Sequence, residues 1–148
     1  GHFGDAQSTF ESGSEAAPDQ LEDRFGRALD RSDSLVALSG GYATLLDGMD
    51  DLKTGEQRFD NEEYAAAEES FAAAGTSFAD AEETFDTKPA PEGEFDGQFE
   101  TARCRSGHLV EASASLESAA ESADSGDLLS ARSQAQEGER KVEQARNC

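Results

Sequence analysis

Between residues 64 and 85 an aromatic side chain returns every seven positions, at Tyr64, Phe71, Phe78 and Phe85. Alanine follows three residues after each of the first three, at Ala67, Ala74 and Ala81. Steps of three and four keep these residues on one face of an α-helix, whereas a strand would need strict alternation. Such a stripe has to be covered by another helix. The alanines let two backbones approach closely, and the aromatics fill the space beside them. The aromatic stripe therefore reads first as core. Tyr42, Tyr64, Phe71, Phe78 and Phe85 read second as the lining of a groove.

The partner stripe lies upstream. Leu35, Leu38, Tyr42, Leu45, Met49, Leu52 and Phe59 continue the alternation of three and four, with Glu56 as its polar interruption, and Leu21, Phe25, Ala28 and Leu29 extend it toward the N-terminus. This predicts one long helix over about 19–59. Gly40-Gly41 costs about 1 kcal/mol per glycine in a helix, so the pair marks either a kink or a close helix crossing.

Three further helices are expected at about 61–86, 95–124 and 127–147. Asp60 or Asn61 would cap the second, with Glu62 and Glu63 at its positive end. The third carries Phe99, Ala102, Leu109, Leu116, Ala120 and Ala123 in phase. Asp127 would cap the fourth, whose stripe is Leu128, Ala131, Ala135, Gly138, Val142 and Ala145. That last stripe is mostly small residues. At about 25 cal/mol per Å² of apolar surface the second hairpin should be the weaker half.

The fold class is thus all-α, either an antiparallel four-helix bundle or two stacked helical hairpins. Residues 19–148 form one domain. Residues 1–18 are rich in Gly, Ser and acid without helical period and are expected to be a flexible tether. Gly1-His2 reads as the remnant of an affinity tag, so a natural leader would have been lost from this chain.

The chain of 148 residues carries 33 acidic and 12 basic residues, a net charge of −21. Only Lys53, Lys88 and Lys141 are lysine, there is no Trp or Ile, and alanine supplies 24 residues. So much like charge repels itself unless salt screens it, and the Debye length falls to about 3 Å at 1 M. In scarce lysine, abundant acid and small core residues the chain resembles proteins of extreme halophiles, notably haloarchaea. The alternative is an ordinary acidic domain. No basic stripe is present to neutralise phosphates, which argues against nucleic-acid binding, and no apolar run approaches the length of a membrane span.

The stretch "YAAAEESFAAA", with Tyr64, Ala67, Phe71 and Ala74, resembles the second helix of a tetratricopeptide repeat, and Gly55 stands where the first helix of that repeat often has glycine. "GDLLSARSQAQEG" echoes it through Leu128, Ala131 and Ala135. The resemblance covers about 35 residues and implies stacked hairpins that bind proteins or peptides. The chain departs from the repeat in lacking its closing proline and in a first helix about twice as long.

Cys104 and Cys148 each lie 22 residues from Gly126, in the turn of the second hairpin, hence at the same height. A disulfide there would staple that hairpin and imply an oxidising, extracytoplasmic setting. If Leu109 and Leu116 face the core, however, Cys104 shares the opposite face with His108 and Glu111. A bond then needs a kink near Gly107, a late helix start or a wrapping C-terminal tail. The rival chemistry is a metal site of Cys104, His108 and Cys148.

No di-iron E-x-x-H pattern, EF-hand, P-loop or nucleophile elbow occurs, and one histidine apart from His2 leaves no nucleophilic constellation. No catalytic residue and no cofactor are expected. The function expected is a non-enzymatic helical interaction or structural module of a halophile, secreted or surface-tethered, acting on a protein partner as monomer or homodimer. The alternatives are a four-helix-bundle sensing domain for a small molecule or cation, with room beside Gly40-Gly41, and a cytoplasmic metal-binding protein.

Overall fold

The computed structural model describes Thr9 and residues 19–87 and 95–148. The expected tether at 1–18 and the proline-containing segment 88–94 lie outside the described residues, apart from Thr9. Four helices follow one another: α1 (Asp19–Asp60), α2 (Tyr64–Thr87), α3 (Asp96–Asp124) and α4 (Leu128–Arg146). The described residues contain no strand.

Each helix packs on the next, α1 on α2, α2 on α3 and α3 on α4. α1 touches α3 lightly, and no Cα of α1 comes within 8 Å of one in α4. The order is that of consecutive, stacked hairpins.

α1 runs unbroken through Gly40-Gly41. The explanation is on α2. A Cβ placed on Gly41 would lie 2.4 Å from Phe85 Cε1, one on Gly48 2.6 Å from Phe78 Cε1, and one on Gly55 2.5 Å from Phe71 Cε1. Three glycines seven residues apart thus receive three phenylalanines seven residues apart on the antiparallel neighbour. The glycine penalty is offset by burial of whole rings, since Phe71, Phe78 and Phe85 are 1%, 0% and 2% exposed. The room expected at Gly41 is therefore filled by Phe85. These three residues are core. Tyr42 and Tyr64 are half-buried at the two ends of the seam. Tyr42 meets Phe85 edge-on at 5.5 Å between ring centres, and Tyr64 meets Phe59 at 5.4 Å.

The second hairpin uses the same device more sparingly. Its buried α4 residues are Ala131, Gly138 and Ala145, and a Cβ on Gly138 would lie 2.6 Å from Leu116 Cγ. Leu128, expected in the stripe, is 64% exposed at the first position of α4. Position one of a helix projects past its neighbour, so the phase of the stripe does not bury it.

Both hairpin turns close in one way. After α1, Glu62 N–H donates to Phe59 O and Glu63 N–H to Arg58 O. After α3, Gly126 N–H donates to Ala123 O and Asp127 N–H to Ser122 O. Each is a Schellman closure, which places one residue in the left-handed region. In the second turn it is Gly126, at φ +85°. In the first it is Glu62, at φ +63°. Glu63, and not Asp60 or Asn61, precedes the first helical residue of α2 and accepts from Ala67 N–H. The backbone closure consumes Asn61 and Glu62 and shifts the start of α2 to Tyr64. A non-glycine residue in the left-handed region costs about 1 kcal/mol, so Glu62→Gly is expected to raise stability by up to that amount. Gly126→Ala is expected to lower it similarly. Paired thermal melts check the opposite signs.

Asp127 caps α4 as expected. Its Oδ1 accepts from Ser130 N–H at 3.1 Å and its Oδ2 from Ser130 Oγ–H at 2.7 Å. Those bonds favour the anion and hold the Asp127 carboxyl below its ordinary pKa.

Candidate functional site

Cys104 and Cys148 are joined, with their Cα atoms 6.0 Å apart. α3 is regular from Asp96 onward, so no late start is involved. Cys104 stays on the exposed face of α3 while Ala102, Ser106 and Leu109 beside it are buried. The phase read from the sequence stands, and the bond does not require Cys104 to leave that face. The C-terminal tail supplies the reach. α4 ends at Arg146, Asn147 caps it, and Cys148 turns toward α3.

Polar contacts hold the same junction. Arg105 Nε–H donates to Ala145 O at 3.2 Å, which ties α3 to a free carbonyl at the end of α4. Lys141 pairs with Glu111 and keeps that carboxyl below its ordinary pKa, with a smaller contribution from His108. His108 Nδ1 lies 3.7 Å from Glu111 Oε2. One ligand-capable atom each from Cys104, His108 and Cys148 lie within 4.8 Å of one another.

A second feature has no counterpart in the sequence reading. α1 and α4 stand on either side of α3, and a groove of about 370 Å³ runs between them. Leu45 and Met49 of α1, Leu109 of α3 and Val142 of α4 line it, together with Arg105 and Arg146. It continues, through the shared Val142 and Arg146, into a smaller depression bordered by Glu56 and Glu139. Met49 is 38% exposed here, although it belongs to the stripe expected to be core. α2 covers the glycine side of α1 and leaves Met49 beyond its edge.

Glu56 shows what the groove does to a charge. Glu56 keeps an exposed side chain, and partial desolvation at the rim, then the carboxylates of Asp60 and Glu139, push its pKa above the ordinary 4.5, while Arg146 draws it partly back. A raised pKa means that the native chain holds the proton more tightly than the unfolded chain. The Glu56 contribution to stability therefore falls as pH rises through the interval above 4.5. Glu56→Gln is expected to raise the melting temperature at neutral pH, and the gain should shrink below about pH 4.5, where both states are protonated. A gain independent of pH would contradict this. Asp127 acts with the opposite sign: its lowered pKa supplies stability at neutral pH that is lost on acidification.

No helix among the described residues is long and apolar enough to cross a membrane. The chain matches no family model, no curated protein and no solved structure.

Proposed function

We propose that this chain is a non-enzymatic interaction module of a halophile, acting outside the cytoplasm, and that it takes an apolar segment of a partner protein in the groove between α1 and α4. The observation that carries the reading is the groove itself. It presents Met49 and the half-buried Val142 above the buried Leu45 and Leu109 on a molecule rich in acid.

The occupant is an apolar-faced peptide segment bearing a carboxylate. The apolar side chains match its face, and Arg105 and Arg146 in the groove lining match its charge with the guanidinium N–H groups left over from Ala145 O and Glu143. A partner from the same saline environment would be acidic too. Molar salt screens that repulsion and leaves the apolar contact in place. The disulfide supports the extracytoplasmic placement. The salt requirement follows from the net charge of −21.

The stacked order of helices agrees with the protein-binding role that the tetratricopeptide resemblance implies. For the sensing-domain reading, the Gly41 side of the Gly40-Gly41 pair holds Phe85, and the Gly40 side is open and exposed.

The test is capture of the partner at molar salt by wild type, by Met49→Glu and by Leu129→Glu. Leu129 is 85% exposed at the opposite end of α4 from Arg146 and serves as the control. Met49→Glu should reduce capture at least about tenfold by placing an unpaired charge against an apolar surface, and Leu129→Glu should leave it unchanged. Equal capture by all three would remove the groove from the account.

A further inference from the structure

The half-buried His108 lies beside a disulfide that already satisfies both cysteines, and the structural role of that bond makes no use of it. Cys104 and His108 are separated by four residues on α3, so the helix holds them on one face without any loop rearrangement. Cys148 sits two residues beyond the end of α4, where the chain is free of helical constraint. The set thus combines two donors on a rigid element with one on an adaptable tail.

We propose that the reduced form of this chain, before the bond closes or after it has been reopened, binds a zinc-type divalent cation through Cys104, His108 and Cys148. The donor chemistry is right for the metal, since two thiolates and an imidazole are among the commonest zinc ligand sets. The spacing is right as well. Tetrahedral zinc, with Zn–S of about 2.3 Å and Zn–N of about 2.0 Å, needs its ligand atoms about 3.5–3.8 Å apart. In the oxidised chain the donors of the three residues lie within 4.8 Å of one another with the two sulfurs bonded, so after reduction the sulfurs have only to separate to the metal spacing while the imidazole stays in reach. Solvent completes the fourth position.

The surroundings favour a cation. Glu82, Glu100 and Glu111 border the same depression as Cys104 and His108, against Arg103 in the lining and Lys141 on Glu111. Glu111 Oε2, held by Lys141, stands 3.7 Å from His108 Nδ1 and has to close by a few tenths of an ångström to orient a ligating imidazole as outer carboxylates commonly do.

The redox balance is simple. Reopening the bond takes two electrons and two protons from a dithiol, which is itself oxidised to a disulfide. Metal binding then releases the two thiol protons. In the reverse direction, an oxidant that closes the Cys104–Cys148 bond expels the metal. The site goes beyond the docking role and does not depend on it.

The experiment uses the full chain carrying His2→Ala, so that His108 is its only histidine. The protein is reduced with a phosphine at molar salt and titrated with cobalt(II), and zinc is then added in competition. One cobalt per chain with a thiolate-to-metal charge-transfer band, displaced by zinc, is expected from the reduced chain and not from the oxidised one. His108→Ala should weaken binding at least about tenfold. A reduced chain without the thiolate band would overturn the proposal. So would a His108→Ala chain that titrates like its parent, whatever the helicity of either, because the cysteines alone would then account for the metal.

Discussion

Phe78→Ala is expected to lower stability by about 3–5 kcal/mol, the range for removing a buried ring. The upper end applies here because the wall opposite the ring is Gly48, which has no side chain to collapse into the hole. For a chain of this size each kcal/mol moves the melting temperature by about 2–4 °C. The companion substitution tests the cause. Gly48→Ala would set a methyl 2.6 Å from Phe78 Cε1, and overpacking of that kind costs about 1–3 kcal/mol. In the Phe78→Ala background the ring clash disappears; the methyl still meets Ser77 Cβ at 3.1 Å, against which stands the helix preference of alanine, about 1 kcal/mol. The same Gly48→Ala change should therefore cost the variant much less than it costs the wild type. Two independent, additive losses would show that the glycine and the ring do not form one unit.

Opening Cys104–Cys148 is the second large effect. The residues are 44 apart in sequence, for which the chain-entropy model gives about 4 kcal/mol. The loss should fall mainly on the second hairpin. α4 buries only Ala131, Gly138 and Ala145, and small residues bring little apolar area to the interface. Arg105 to Ala145 O and Lys141 to Glu111 remain, but both lie near the surface. Thermal melts at molar salt, with chelator present and with or without a phosphine, measure the total. Amide exchange locates it: protection should fall first in α4 and last in α2, whose phenylalanines are sealed against α1. Cys148→Ser should reproduce the reduced wild type. A melting point unaffected by reduction would mean that side-chain packing alone closes the second hairpin.

Much of the architecture was legible because heptads report directly on packing faces. The aromatic repeat from Tyr64 to Phe85 located α2, and the leucine stripe located α1. The complement of the aromatic repeat was equally visible as a spacing, in Gly41, Gly48 and Gly55. Spacing alone leaves a kink and a close crossing equally open at Gly41, because glycine in a helix registers as a penalty until the ring that occupies its place is known. The turn at Glu62 was hidden for a different reason. A glutamate gives no local sign that the backbone has taken a positive φ, whereas Gly126 in the second turn does.

The cysteines were partly legible. Equal distance from Gly126 gave their height, and helical phase gave the exposed position of Cys104. Neither could show that two residues after Arg146 suffice to bridge the faces. The groove was not legible at all. It exists because α1 and α4 flank α3 with no Cα atoms within 8 Å of each other, and no single-helix pattern encodes the distance between two helices separated by a third. Met49 illustrates the point: its spacing marks it as core, and only the edge of α2 decides that it is exposed.

The most direct measurement of the docking role places a photo-crosslinking residue at position 49, and in a second chain at position 129, in the native host at its working salinity. Intact mass and gel shift then report adduct formation. The account predicts one discrete protein adduct from position 49 and none from position 129, with the position-49 adduct suppressed by Val142→Glu across the groove. No adduct at position 49, or equal adducts at both positions, would contradict the assignment of this groove as the partner site.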